Sequence, residues 1–534
     1  MHLNHSLSLG RSYLPLRYLF KNTQGNSLGD KQKRRLMRLL LLLAMLCTIL
    51  KSQGQDFQFD RAGMPDDRQG SRGVSVGDLD GNGWNDIVVA NQVDSLQLLG
   101  NTIYFNHENG FNRMAIGDKD VNAWSESVHT VDVDNDHDLD IFFTTQFGTP
   151  NLIYLNDGSG KFTPGKAGDL SKDRTNSPGA CWCDFDLDGD LDVFVVNRDG
   201  EDDHLYINDG RGRFDQAVLG PWKGNKGDGR SCAWGDLNGD GRPDLYVANF
   251  VIKDNGQVIR KHRNYLYFNS GNGEFIEEKT GVYVQEENAS YGVSLIDYDY
   301  DKDLDIYVTN VSVADENALY ENSGTGVFSK LTGSEVAYKI HRPSKGQTWG
   351  DFNNDGYLDL YVANGTEGYP EIQNFFFAGT ADHTFKRIYN TLPAIEGHIS
   401  AGTASGDFDN DGDLDLYVCN WGGEAEENDC YINQNQNNHW VKLRLRGTES
   451  NSYGIGSWIT LTLDNGTVQT RYCSRETGYG SENSPEIHFG IPAMVKISAI
   501  VVEWPSGRKQ SATDLERDTV YEFIEGKEIK RIGI

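Results

Sequence analysis

The sequence is short of hydrophobic and basic residues for its length, and this limits its partners. Of 534 residues, 37% are hydrophobic, only 13 are proline, and 49 Lys and Arg stand against 79 Asp and Glu. Residues 1–54 hold nine of the basic residues and one of the acidic ones, which leaves a formal charge of −38 for residues 55–534. Because such a surface repels phosphate backbones and anionic headgroups, we expect no nucleic-acid partner.

Long apolar runs are also scarce. The run at residues 39–50 is too short for a comfortable membrane span, and no longer one follows. Several basic residues precede it, and Ser52 and Gly54 follow as the small residues of a cleavage site. This pattern predicts an export signal in residues 1–54, with Met37 as a possible true start. The mature chain should lack a membrane span and be secreted or at the cell surface, or periplasmic or outer-membrane-associated in a bacterium.

Cysteine is infrequent, and the six residues that would remain after export are Cys181, Cys183, Cys232, Cys419, Cys430 and Cys473. An even number in an exported chain permits disulfides. Cys419 and Cys430 fall on successive predicted strands, so we predict a bridge between them. The alternative is six buried thiols.

What the sequence has in abundance is one acidic motif of nine residues, present seven times. The copies read DLDGNGWND, DVDNDHDLD, DFDLDGDLD, DLNGDGRPD, DYDYDKDLD, DFNNDGYLD and DFDNDGDLD, and they start at Asp78, Asp132, Asp184, Asp236, Asp297, Asp351 and Asp407. A period of this size indicates a repeat architecture.

Each copy is also a candidate metal site. Positions 1, 3 and 5 offer side-chain oxygens from a turning loop, position 7 a backbone carbonyl and position 9 a carboxylate. Oxygen ligands at this density select Ca²⁺ over zinc or copper, with Mg²⁺ second. We therefore predict up to seven calcium ions. The predicted ligands are Asp78, Asp80, Asn82, Trp84 and Asp86; Asp132, Asp134, Asp136, Asp138 and Asp140; Asp184, Asp186, Asp188, Asp190 and Asp192; Asp236, Asn238, Asp240, Arg242 and Asp244; Asp297, Asp299, Asp301, Asp303 and Asp305; Asp351, Asn353, Asp355, Tyr357 and Asp359; and Asp407, Asp409, Asp411, Asp413 and Asp415.

Two other interpretations of the motif are weaker. An EF-hand needs Glu at position 12, where the first copy has Val89 inside a predicted strand. Simple Asx turns would not explain seven clusters of carboxylates, which repel one another without a cation. Position 6 is Gly in five copies, as a positive φ favours, but it is His137 in the second and Lys302 in the fifth. Because Lys302 adds a competing cation, we predict the fifth site to be the weakest or most distorted.

The segments around the motifs predict four strands per repeat. A strand of small residues precedes each motif, a β-branched and aromatic strand follows it, and a hairpin with an Asn-x-Gly-type turn adds two more. A β-propeller accounts for this pattern because its inner strands converge where space is short. We predict an all-β fold: a seven-bladed propeller over residues 55–436, closed by the N-terminal strand, and a small all-β domain over residues 437–534.

The motif with its trailing strand resembles the FG-GAP (VCBS-type) repeat, most closely at Trp234-Gly-Asp-Leu-Asn-Gly-Asp-Gly241. The segment after residue 437 resembles the ASPIC/UnbV domain through Arg475-Glu-Thr-Gly-Tyr-Gly480 and Val502-Glu-Trp-Pro-Ser-Gly507. One departure is Gly480, where relatives more often have Leu. The two parts together resemble the cartilage acidic protein family. The resemblance implies an exported calcium-binding protein and leaves its molecular activity open.

Three functions are compatible with these features. The first is an interaction or adhesion module for a protein or glycan. The second is a carbohydrate-active lyase or dehydratase built on a propeller, for which His129, His398 and Tyr291 lie on or near predicted inner strands. The third is a purely structural matrix component. The basic insert at 250–264 is either part of a binding surface or a solvated loop.

Overall fold

A computed structural model describes residues 57–65, 69–92, 100–117, 123–254, 257–337, 342–366, 372–422, 426–435 and 437–533. The regular elements are almost all strands, so the predicted all-β fold is confirmed. The predicted export signal, residues 1–54, lies outside the described residues. In the part of the chain that the structure describes, no helix is long and apolar enough to cross a membrane.

The first repeats form four-stranded antiparallel sheets, which we call blades. After β1 (Phe59–Arg61), blade 1 contains β2 (Gly70–Gly77), β3 (Asp86–Gln92), β4 (Asn101–His107) and β5 (Gly110–Ile116); blade 2 contains β6 (Ser125–Val131), β7 (Asp140–Thr145), β8 (Leu152–Leu155) and β9 (Thr163–Pro164); and blade 3 contains β10 (Gly179–Cys183), β11 (Asp192–Val196), β12 (His204–Asn208) and β13 (Phe214–Gln216).

Blade 4 carries an insertion. It contains β14 (Gly229–Gly235), β15 (Asp244–Asn249), β18 (Tyr265–Gly271) and β19 (Glu274–Glu278), while β16 (Val251–Asp254), β17 (Gln257–Arg263) and β20 (Glu287–Asn288) form a separate small sheet. Blade 5 contains β21 (Ser290–Ile296), β22 (Asp305–Asn310), β23 (Ala318–Glu321) and β24 (Ser329–Lys330), and blade 6 contains β25 (Ser344–Gly350), β26 (Asp359–Asn364), β27 (Phe375–Gly379) and β28 (Phe385–Ile388).

The last blade takes one strand from the other end of the chain. Blade 7 contains β29 (Ser400–Gly406), β30 (Asp415–Asn420) and β31 (Asp429–Asn433), and β1 pairs antiparallel with β31. The inner strands β29 and β2 lie in contact. The described residues thus contain seven such sheets, and β1 completes the last of them. The few helical turns, Leu170–Lys172, Val282–Gln285, Glu335–Ala337 and Leu392–Ile395, lie between strands.

The C-terminal domain is a sandwich of two sheets. One contains β32 (His439–Arg446), β37 (Ile487–Ile491), β40 (Val520–Ile524) and β41 (Ile529–Gly533); the other contains β33 (Trp458–Leu463), β34 (Val468–Tyr472), β38 (Ile497–Glu503) and β39 (Lys509–Thr513). Alternate residues of these strands, among them Val441, Leu461 and Phe523, are buried in the core between the sheets.

A segment of this domain lies among the inner strands of the propeller. Residues 474–484, which we call the plug, include β35 (Glu476–Thr477) and β36 (Ser481–Glu482), and β36 pairs with β2. The plug hydrogen-bonds to the inner strand of every blade, namely to Val74, Val128, Trp182, Ser231, Ser294, Gln347 and Ser405. A Cβ at Gly73 would lie 2.1 Å from the Gly480 carbonyl oxygen, so the small inner residues make room for the plug.

An asparagine at the end of the third strand ties most blades to the blade before. The Asn208 carboxamide donates to the carbonyl of Val133 in blade 2 at 2.9 Å and to that of Leu191 in its own blade at 3.1 Å. Asn106, Asn156, Asn269, Asn322 and Asn433 also donate to the preceding blade. In blade 6 the corresponding residue is Gly379, whose N–H bonds to Asp359.

The structure corrects the disulfide prediction. Cys181 on β10 is bonded to Cys232 on β14, so the bridge joins the inner strands of blades 3 and 4. Cys419 and Cys430 form no disulfide, because in the pairing of β30 with β31 Cys430 stands opposite Tyr417. The sequence did contain a signal for the observed pair, since both cysteines come shortly before an acidic motif on successive inner strands.

Candidate metal centres

Each acidic motif forms the loop between the inner strand of a blade and its second strand. The seven loops therefore lie at the same end of their blades. In all seven, the N–H of position 6 donates to Oδ2 of the position-1 aspartate at 2.8–3.2 Å. The N–H of position 7 donates to the side-chain oxygen of position 5 at 2.7–3.0 Å. These bonds hold the loop closed and use Oδ2 of position 1. In five loops Oδ1 also accepts the N–H of position 5, which leaves one lone pair of Oδ1 for a cation.

Two positions of each loop have left-handed backbone. At position 6 the φ angles of His137 and Lys302 are 74° and 71°, so these residues adopt the conformation that Gly takes in the other copies, as predicted. Position 4 is also left-handed, even where it is Leu187 or Tyr300, with φ of 62° and 64°. Sequence reasoning missed position 4, because that position is Gly in only two copies and Asn, Leu or Tyr in the others.

The position-9 aspartates also accept hydrogen bonds from the backbone of their own blade. One oxygen of each accepts the N–H at the end of the third strand, at 2.7–2.9 Å. In Asp86 the other oxygen accepts the N–H of Leu79 at 2.8 Å. This carboxylate therefore fixes three segments of its blade to one another. Its role as a metal ligand stays a prediction.

The structure brings the predicted ligands together in clusters. In five loops, three carboxylates offer oxygens that all lie within 4.8 Å of one another: Asp78, Asp80 and Asp86; Asp132, Asp134 and Asp136; Asp184, Asp186 and Asp192; Asp297, Asp299 and Asp301; and Asp407, Asp409 and Asp415. In the fourth and sixth loops, Asn238 and Asn353 replace one of the carboxylates.

Several carboxylate oxygens of the seven loops are buried without a hydrogen-bond donor among the described residues. They are Oδ1 of Asp134, Asp297, Asp299, Asp303 and Asp407, and Oδ2 of Asp192 and Asp413. A buried oxygen left in this condition costs free energy unless a cation takes the place of the donor. The residues present thus fit a hard divalent ion.

Burial and mutual repulsion raise the pKa of the loop carboxylates. Burial raises the pKa of Asp184 to about 7, with Asp188 and Asp186 adding to the rise. Burial likewise raises the pKa of Asp297 to about 6 and that of Asp244 to about 8. A bound cation would favour the ionised form of each group.

The C-terminal domain contributes side chains to this end of the blades. The Thr470 hydroxyl donates to Asp297 of the fifth loop, and the Tyr453 hydroxyl donates to the carbonyl of His137 in the second. The Lys442 ammonium lies 2.6 Å from Oδ2 of Asp407. The motif pattern could not reveal these partners, because they come from a domain that lacks the repeat.

The residues considered for catalysis belong to different blades and have separate partners. His129 on blade 2 is 1% exposed and lies 2.8 Å from Glu482 of the plug. His398, before blade 7, lies within 4 Å of Glu426 and Asp429. Tyr291 of blade 5 packs on the Tyr479 ring. His129 is therefore buried against the plug, and each of the three residues has its own partner.

Two family models match the chain. The FG-GAP-like repeat matches residues 78–143, 132–195, 184–247, 297–362 and 351–418, which together are more than half of the chain. The ASPIC and UnbV model matches residues 447–530. Each repeat match begins at an acidic loop and extends through the next one.

Two relatives and one solved structure are similar to the chain over two thirds or more of its length. Cartilage acidic protein 1 of Xenopus tropicalis is 23% identical over 466 residues, which are 71% of this chain and 70% of that protein. The Homo sapiens protein of the same name is 23% identical over 480 residues, 74% of this chain and 71% of that protein. A solved Agrocybe aegerita lectin, described as recognising non-reducing terminal N-acetylglucosamine, has a TM-score of 0.40 at 17% identity, covering 68% of this chain and 86% of the lectin chain.

Proposed function

The chain belongs to the FG-GAP-like repeat family, and we propose that it is an exported, calcium-stabilised β-propeller that serves as an extracellular interaction module. The observation that carries the calcium part is the set of buried loop oxygens without a donor, such as Oδ1 of Asp297 and Asp299. Oxygen-only ligands of this kind suit Ca²⁺, which accepts six to eight of them in flexible geometry.

Calcium bound in a loop would hold the strands of its blade in place. When bound, the ion neutralises carboxylates that would otherwise repel one another. Each loop joins an inner strand to its neighbour, so a filled loop fixes the inner strand that borders the plug. The position-9 aspartate, bonded to the third strand, extends this order across the blade.

Calcium binding by the intact chain tests this part. We expect isothermal titration of the chelator-treated protein to show several ions per chain. Asp184→Asn, in the third loop, should remove or weaken one of them. The matched control is Asp215→Asn on the outer strand of the same blade, whose side chain is 71% exposed and distant from the motif. Absence of binding at millimolar calcium would refute the proposal.

Recognition is then a property of surfaces other than the calcium loops. The C-terminal domain contacts the loop end of the blades, so the opposite end is the more accessible one. There the insert carries Arg260, Lys261 and Arg263, but each pairs with an acid of the chain: Glu287, Asp315 and Glu277. Because these basic charges are already paired within the chain, they support the interpretation of the insert as a solvated loop rather than a binding surface. The ligand, a protein or a glycan, is left to experiment.

A capture experiment addresses the ligand class. The purified chain, immobilised in calcium and separately in chelator, would be presented to an array of matrix proteins and glycans. We expect saturable binding to a defined member that chelation abolishes. If no member binds saturably, a structural matrix role replaces the interaction module. The relatives named cartilage acidic protein 1 are compatible with either outcome.

A further inference from the structure

The seventh loop differs from the other six because a lysine of the C-terminal domain enters it. Lys442 lies on β32, and its ammonium is 2.6 Å from Oδ2 of Asp407 and 3.2 Å from the Glu486 carboxylate. The side chains of Lys442 and Asp407 are only 5% and 1% exposed. Water therefore screens this pair little, and the ammonium has no room to move into solvent.

No other position-1 aspartate among the described residues has a lysine or arginine within ion-pair distance. The nearest comparison is Arg242 of the fourth loop, which pairs with Asp240 at position 5. Those side chains are 38% and 31% exposed, so Arg242 can turn away into water. Lys442 has no such freedom, because Trp440 and Glu486 hold it from the side of the C-terminal domain.

The seventh loop also lacks a hydrogen bond that five of the other loops have. In the first, second, third, fourth and sixth loops, the N–H of position 5 donates to Oδ1 of position 1. In the seventh, the N–H of Asp411 donates instead to Asp409. Oδ2 of Asp407 accepts both Lys442 and the N–H of Gly412, while Oδ1 has no donor. A cation on Oδ1 would therefore share one carboxylate with the ammonium.

The fifth loop, which the sequence predicted to be the weakest or most distorted, shares the Oδ1 without a donor but has no ammonium on its position-1 aspartate. The Lys302 ammonium extends away from the loop and pairs with Glu503 of the C-terminal domain. Only its backbone N–H contacts the ligand Asp297. Two lysines thus lie near two loops, but only one of them places its charge on a predicted ligand.

We propose that Lys442 is a built-in competitor for calcium, which makes the seventh loop the weakest site of the set. The proposal rests on calcium occupying these loops as proposed above. The ion binds there against the repulsion of an ammonium that the fold does not release. When the ion binds, it competes with Lys442 for the Asp407 carboxylate, which anchors β32 to blade 7. Filling of the seventh loop therefore opposes one contact between the C-terminal domain and the propeller.

Calcium titration of matched lysine variants tests this directly. In the full chain we expect a group of tight sites and one weaker site. Lys442→Met should tighten the weak site at least tenfold, whereas Lys302→Met should leave it unchanged. A weak site that persists in Lys442→Met, or that tightens in Lys302→Met instead, would overturn the proposal. Absence of all calcium binding would overturn the proposed function itself.

A second pair of variants keeps the proposal testable if the Lys442→Met chain fails to fold. Asp407→Ala should remove the weak site and leave the tight ones, while Asp184→Ala in the third loop should remove a tight one. Hydrogen exchange of β32 in the wild-type chain gives an independent readout. Protection of the β32 amides should fall as the calcium concentration rises from the range that fills the tight sites to the range that fills the weak site. Loss of a tight site in Asp407→Ala, or unchanged protection of β32, would contradict the assignment.

Discussion

At the scale of single residues, the asparagine at the end of the third strand of most blades links its blade to the preceding one by hydrogen bonds. Asn208 is 6% exposed and bridges two blades through one carboxamide. Replacing it leaves the Val133 and Leu191 carbonyls without their donor. Each such bond contributes about 1 kcal/mol, and an unsatisfied buried group costs more.

We expect Asn208→Ala to lower the free energy of unfolding by about 2 kcal/mol in saturating calcium. Asp215→Asn on the neighbouring outer strand should change it by less than about 0.5 kcal/mol. Denaturant unfolding followed by tryptophan fluorescence measures both variants. Equal stability of Asn208→Ala and the control would mean that the bridge between blades contributes nothing.

The loop carboxylates predict opposite pH dependences with and without calcium. In the chelated protein the pKa of Asp184 is raised to about 7 and that of Asp244 to about 8, mainly by burial, from a usual value near 4. The folded state then holds protons that the unfolded state has lost. Its stability must therefore fall as pH rises from about 5 to 8. With calcium bound the same groups are ionised, and protons compete with the ion, so stability should rise over that range.

Melting temperatures at pH 5, 6, 7 and 8, in chelator and in millimolar calcium, measure the two slopes. The slopes should have opposite signs. Parallel slopes would show that calcium and protons do not compete for these carboxylates.

Much of the loop, but not all of it, could be read from the sequence. The motif predicted which carboxylates come together, and it predicted the left-handed backbone at position 6 from the glycines there. It could not reveal Lys442, which is remote from Asp407 in the chain and belongs to another domain. It also could not show that the Lys302 ammonium pairs with Glu503, because residue type does not determine where a long side chain points.

At the scale of elements, the plug determines how the inner strands are built. The sequence explained their small residues by convergence at the axis. In the structure, the inner glycines also face a segment of the C-terminal domain: a Cβ at Gly73 would lie 2.1 Å from the Gly480 carbonyl, and one at Gly402 would lie 2.3 Å from the Ser481 hydroxyl. The sequence pattern could not predict these contacts, because the plug has the sequence of an ordinary turn and is remote in the chain from the inner strands.

We expect Gly73→Ala to destabilise the folded chain by about 2 kcal/mol or more, because the new methyl group meets backbone that cannot yield. The control is Gly63→Ala, where no atom lies within 4 Å of the new Cβ. Thermal melting gives the stability change, and limited proteolysis shows whether residues 474–484 become accessible. A Gly73→Ala chain with a normal melt and a protected plug would contradict the packing described here.

At the scale of the whole molecule, the repeated acidic motif accounts both for much of the negative charge and for the repeated architecture. The seven motifs contain 29 aspartates, and the chain beyond residue 54 carries a formal charge of −38. The all-β architecture was predictable because one local pattern recurs with a fixed period. The plug and the Cys181–Cys232 bridge were not, because each depends on contacts formed once between distant parts of the chain.

The central claim is that calcium in the acidic loops stabilises the propeller, and thermal melting in chelator tests it most directly. Each site filled at a hundredfold excess over its Kd adds about 2.7 kcal/mol to the stability. We expect the melting temperature to fall substantially in excess chelator and to recover when calcium, but not an equal ionic strength of sodium chloride, is restored. A melting temperature that is the same in excess chelator and in millimolar calcium would contradict the account.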